Sequence, residues 1–95
     1  MHNQLTFWYS KDKAESVRTQ VIDNIKRQYG FSNDEITRGE DRITFLYDDE
    51  TNGEIAIMFT DESDALRVTV EGTWSWETID VYQTILPHYT EEDPA

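Results

Sequence analysis

The side chains able to do chemistry in this chain are nearly all carboxylates. Its 95 residues carry twenty Asp and Glu against eight Lys and Arg, a formal net charge of −12, with two histidines and no cysteine. Without thiols there is no disulfide, no thiolate metal site and no cysteine nucleophile, and a thiol-free chain fits a reducing, cytoplasmic setting. His2 stands at a chain end and His88 directly after Pro87. Neither has a neighbour in sequence that would orient it as a general base. The four glycines, at 30, 39, 53 and 72, are isolated, so no phosphate-cradling loop is expected. Acid–base work by a carboxylate pair needs burial to raise one pKa, and these acids crowd into hydrophilic turns. The expectation is a protein without catalytic activity.

One acidic stretch imitates a metal loop. Asp48, Glu50, Asn52 and Gly53 follow the first half of a calcium-binding EF-hand loop, D-x-E-x-N-G. The twelfth position, where a bidentate Glu is required, is Phe59, and the flanks read as strands rather than helices. No metal or other cofactor is expected.

The charge is unevenly spread. Residues 1–33 hold five bases and three acids, and residues 34–95 hold three bases and seventeen acids. A field of that sign repels nucleic acid and anionic membrane and attracts basic partners. Two groups of acids stand out. Asp48, Asp49, Glu50 and Glu54 fall at one end of the strand expected over 54–60. Asp61, Glu62 and Asp64 fall at the other, about 23 Å away at ~3.3 Å per residue. Glu40 and Asp41 are expected beside the second group. Carboxylates spaced like phosphates suit a protein that occupies a nucleic-acid channel, meeting the Lys and Arg side chains that hold the backbone. The competing reading is that turns simply collect acids for solubility.

The elements that would position these groups centre on Arg42–Thr60. Ile43, Phe45 and Tyr47 alternate to one side before the acidic turn, and Ile55, Ile57 and Phe59 do so after it. Asn52-Gly53 is a hairpin signal because both residues tolerate positive φ. Leu5–Ser10 alternates as a strand with Trp8 on its outer side, and Leu66–Glu71 alternates as another. Asp12–Tyr29 has a one-sided apolar stripe, from Ala14 and Val17 to Ile25 and Tyr29. Asp12 and Glu15 form a capping-box variant, and Gly30 stands at the left-handed terminal position. Arg18, Lys26 and Arg27 fall on the outer, solvated face. Ile36–Arg38 reads as a short strand or the start of a longer one, with Gly39 marking a bulge or tight turn. Residues 72–76 read either as more strand or as a helix start capped by Thr73 or Ser75. From Glu77 a helix is expected, with Trp76, Ile79, Tyr82 and Leu86 at helical spacing, ended by Pro87.

The fold expected is α+β: two layers, a mostly antiparallel sheet of about four to five strands with two helices, in β-α-β-β-β-α order. It occupies residues 1–90 as one domain, and residues 91–95 form an acidic tail expected to be disordered. MHNQLTFWYSKDK does not read as a secretion signal, and no apolar run approaches the ~20 residues that cross a bilayer.

Three tryptophans complete the picture. Trp74 and Trp76 are aromatic anchors amid charge, the composition of interface hot spots. With Asp48, Asp49, Glu50, Glu54, Asp61, Glu62 and Asp64 they make up the expected partner-binding set. The expectation is a non-catalytic antagonist that binds a basic protein partner, a nucleic-acid-binding enzyme, and does not bind nucleic acid directly. Small acidic anti-restriction, anti-CRISPR and glycosylase-inhibitor proteins of phages and mobile elements share this charge and size, an analogy of physics rather than of sequence. The alternatives are a homodimeric adaptor domain and an immunity protein neutralising a basic toxin.

Overall fold

Alternating apolar residues put five strands into one antiparallel sheet in the computed structural model, which describes residues 3–48 and 53–88. The strands are β1 (Asn3–Ser10), β2 (Thr37–Arg38), β3 (Arg42–Asp48), β4 (Gly53–Asp61) and β5 (Ala65–Gly72). Helix α1 (Ala14–Tyr29) follows β1, and α2 (Ser75–Thr84) follows β5. Across the sheet the order is β1-β5-β4-β3-β2. The first strand therefore closes beside the last, and α1 carries the chain from one edge of the sheet to the other.

Register decides which face is the core. Leu5, Phe7 and Tyr9 lie opposite Val70, Val68 and Leu66, and Ile57 lies between Ile43 and Val70. All of these share one face, as their alternation requires. Both helices pack on it: Val17, Val21 and Ile25 of α1 join Val81 of α2 and Ile85 in the same buried cluster. The Asn24 side chain ties the helices by donating to the Ile85 carbonyl (2.8 Å). The Tyr9 hydroxyl fixes the segment after α2 by donating to the Pro87 carbonyl (2.7 Å). The opposite face carries Thr6, Trp8, Thr44, Leu46, Met58, Arg67 and Thr69, with no helix over it among the described residues.

Several local expectations need correction. Asp12 does not cap α1. It sits in a single 3-10 turn, Lys11–Lys13, which leads into the helix. A hydrogen bond from the Ser10 side chain holds its carboxyl below the usual value. Gly30 closes α1 as expected, at φ 70° with its N–H on the Lys26 carbonyl (2.8 Å). Gly39 makes a tight turn rather than a bulge, its N–H bonding the Arg42 carbonyl (2.6 Å). β2 stays at two residues. The irregularity lies instead between Leu46 and Asp48, where the β3–β4 register shifts.

α2 begins two residues before Glu77, and the spaced residues 76, 79, 82 and 86 divide between surface and core: Leu86 is buried and Tyr82 packs against the core. Glu77, Thr78 and Val81 are buried, while Trp76 and Ile79 are exposed. Gly53 and Gly72 let the first turn of the helix approach the sheet closely, through Glu77 and Thr78. The expected positive φ at Gly53 is absent: this glycine is the first residue of β4, opposite Asp48. Asn52, Asp49, Glu50 and the tail 91–95 lie outside the described residues.

Candidate partner-binding surface

The two acidic groups meet different fates. At the Asp61 end the acids converge with bases. Arg18 Nη2 lies 3.1 Å from Asp41 and 3.3 Å from Asp61, and Lys11 Nζ is 3.4 Å from Asp61. Lys11 also donates to the Glu62 carbonyl (2.9 Å). Glu62 in turn pairs with Arg67 Nε at 3.3 Å. Arg18 is therefore not on a solvated face as its helical position implied; its guanidinium also lies over the Phe59 ring, 4.9 Å from the centroid. Asp41 does join this group, because its carbonyl accepts the Phe59 N–H (2.9 Å) and fixes the approach to β3. Asp64 and Glu40 are exposed nearby. These pairs are themselves exposed and contribute little to stability. Their effect on recognition is larger, since a carboxylate already facing a cation of its own chain offers less field to a partner's.

The other end has a different character. Glu54 is exposed opposite Leu46, and Glu71 accepts a hydrogen bond from Gln4 (2.8 Å) on the same open face. The backbone of Asp48 ends β3 there. At the same end of the sheet, but on its helix-covered face, stands the start of α2. Trp74, in extended conformation, precedes the helix, and its carbonyl accepts from both the N–H (3.1 Å) and the hydroxyl (3.0 Å) of Thr78. That fixes its backbone and turns its ring outward. Trp76 is 52% exposed and one helical turn from exposed Ile79.

Trp76 is backed by a rigid aromatic series that the sequence did not single out. Its ring meets Tyr47 edge-on at 5.6 Å, and Tyr47 meets Tyr29 at 5.6 Å. Both hydroxyls donate to one oxygen of Asp80, Tyr47 at 2.7 Å and Tyr29 at 3.3 Å. The available signal was that Trp76 and Asp80 are four residues apart on one helix, while Tyr47 ends an inward-facing strand row. Glu77, adjacent, is 0% exposed and packs against Gly53. Nothing in its position just inside a helix start announced that burial.

This cluster has a measurable pH signature. Burial pushes the Tyr29 phenol up to about 12, with the Asp80 carboxylate adding to it. Burial also raises Tyr47, followed by its hydrogen bond to Asp80. A phenol whose folded pKa exceeds its unfolded value stabilises the fold below the unfolded value, near 10, and loses that contribution as pH rises toward the folded one. Thermal melts are expected to fall from about pH 10 toward about 12, and Tyr47→Phe to flatten part of that fall. A wild-type melting temperature constant through the window would contradict the geometry.

Compared with protein-family models, curated proteins and solved structures, the chain matches none. No helix among the described residues is long and apolar enough to cross a membrane.

Proposed function

We propose that this protein is a non-catalytic antagonist that binds a basic, nucleic-acid-handling protein in the cytoplasm. The observation that carries the reading is the exposed, rigidly backed Trp76, with Trp74 and Ile79, at the end of the sheet that also bears the carboxylates Glu54 and Glu71 on its open face. Aromatic anchors rimmed by charge suit an interface with a cationic groove. The net charge of −12 supplies long-range attraction to such a partner. Mimicry of a phosphate backbone gives the carboxylates their role: Asp48, Asp49, Glu50 and Glu54 take phosphate positions at the tryptophan end. Asp61 and Glu62 contribute less, because Lys11, Arg18 and Arg67 already face them.

The experiment is inhibition of restriction, CRISPR and glycosylase enzymes with DNA as competitor. Trp74→Ala with Trp76→Ala is expected to weaken inhibition by about 10–100-fold, with melting temperature little changed. Lys at 48, 49, 50 and 54 is expected to abolish it, and Lys at 61, 62 and 64 to weaken it less. Inhibition that survives both charge reversals would refute mimicry.

A further inference from the structure

β1 is an edge strand of a kind that proteins usually guard against. Natural sheets blunt their edges with charge, proline, bulges or short strands. β1 has eight residues, NQLTFWYS, in unbroken register with β5. It carries no charged side chain, no proline and no glycine, whereas each of the other four strands has at least one charge. In a chain of net charge −12 this is a conspicuous gap. The opposite edge is the two-residue β2.

Hydrogen-bond parity shows which groups face outward. The Phe59 N–H bonds to Asp41, so odd residues of β4 face β3 and even ones face β5. Following the register, Leu66, Val68 and Val70 face β1, and Tyr9, Phe7 and Leu5 face back. The backbones of Gln4, Thr6, Trp8 and Ser10 therefore point away from the sheet, and among the described residues no strand pairs with them.

We propose that two copies of this chain join along β1, antiparallel about a two-fold axis at Phe7, into one ten-stranded sheet. A second copy fits because the strand is complementary to itself in that register. Gln4 falls opposite the partner copy's Ser10 and Thr6 opposite its Trp8, which matches every outward N–H and C=O of one copy to those of the other. On the helix face Phe7 meets Phe7, and Leu5 meets Tyr9. Leu5 and Phe7 are half-buried at this edge, while Ile57, Val68 and Val70 in the sheet's interior are fully covered. A second copy covers that remainder. On the open face the Trp8 rings, 55% exposed, lie beside the seam. Charge agrees: the seam is neutral where the rest of the surface repels its own kind. The antiparallel arrangement also brings Lys11 of each copy to the end of the other where Glu71 holds Gln4. Trp74, Trp76, Ile79 and Glu54 lie outside β1, so this part of the proposed partner surface stays clear of the seam, and Glu71 is the one member that adjoins it.

The test is sedimentation equilibrium and oxidative cross-linking of the full chain with four single-site variants. The wild-type protein is expected to dimerise with rising concentration. Thr6→Pro removes an outward N–H without touching the β1–β5 ladder, and Thr6→Lys places a charge on the seam. Both are expected to be monomeric, with wild-type circular dichroism. Phe7→Cys puts the chain's one thiol at a non-hydrogen-bonded pair, where Cα atoms about 4.5 Å apart suit a disulfide. It is expected to cross-link on oxidation, whereas Trp8→Cys, out of register with itself, is not. A wild-type monomer at millimolar concentration overturns the proposal. So does a dimer that both Thr6 variants leave intact, or cross-linking of Trp8→Cys in preference to Phe7→Cys.

Discussion

Ile57→Ala is expected to cost about 3–4 kcal/mol, and Met58→Ala, one residue along the same strand, about 1 kcal/mol or less. Ile57 is fully buried on β4, the middle strand, with Ile43 and Val70 as its cross-strand neighbours. Strands bonded on both sides cannot collapse into the space it leaves, so the cavity persists and adds to the lost burial. Met58 points to the uncovered face and is half-exposed, so its truncation removes less contact and opens no cavity. For a domain this size the Ile57 loss is a large share of a total near 5–10 kcal/mol. The melting temperature is expected to fall by about 12 °C or more. Urea unfolding of both variants checks the contrast. Equal costs would mean that something covers both faces of the sheet.

That contrast rests on what alternation made legible. A period of two in residues 5–10, 43–47, 55–59 and 66–70 determines which side chains share a face, whatever the order of strands. Leu5, Phe7, Ile43, Phe45, Ile55, Ile57, Leu66, Val68 and Val70, which the alternation assigns to the core face, all lie there. The amphipathic stripe of α1 and its Gly30 terminus were readable for the same reason, since both are local. α2 was not readable in this way. It is apolar on more than one side, and the choice between sides was made by the partner surface: Gly53 and Gly72 leave room for Glu77 and Thr78, and no equivalent room receives Trp76. Local pattern carries no information about such vacancies. The acidic groups show the same division. Asp41 and Asp61 meet because strand register brings their ends together, as the spacing implied. Arg18 reaches both from α1, and only the packing of that helix on the sheet determines its reach.

The role of Gly53 distinguishes a turn requirement from a packing requirement. As the second half of an Asn-Gly turn it would need positive φ, and alanine there would be strained in any background. The structure assigns it ordinary strand geometry, with Glu77 pressed against the place a Cβ would take. The carboxylate is the mobile end of a side chain, yet at 0% exposure it has nowhere to swing. Gly53→Ala is therefore expected to cost about 2–3 kcal/mol by overpacking. In a Glu77→Ala background the obstruction is gone. There the same change should be neutral, or stabilising by about 0.5 kcal/mol, because alanine loses less chain entropy than glycine on folding. The double-mutant cycle reads this coupling directly and cancels whatever Glu77→Ala costs alone. A Gly53→Ala penalty undiminished by removal of Glu77 would return the glycine to the turn. Loss of the penalty would show that a buried acid on α2, rather than the hairpin, requires a glycine at the start of β4.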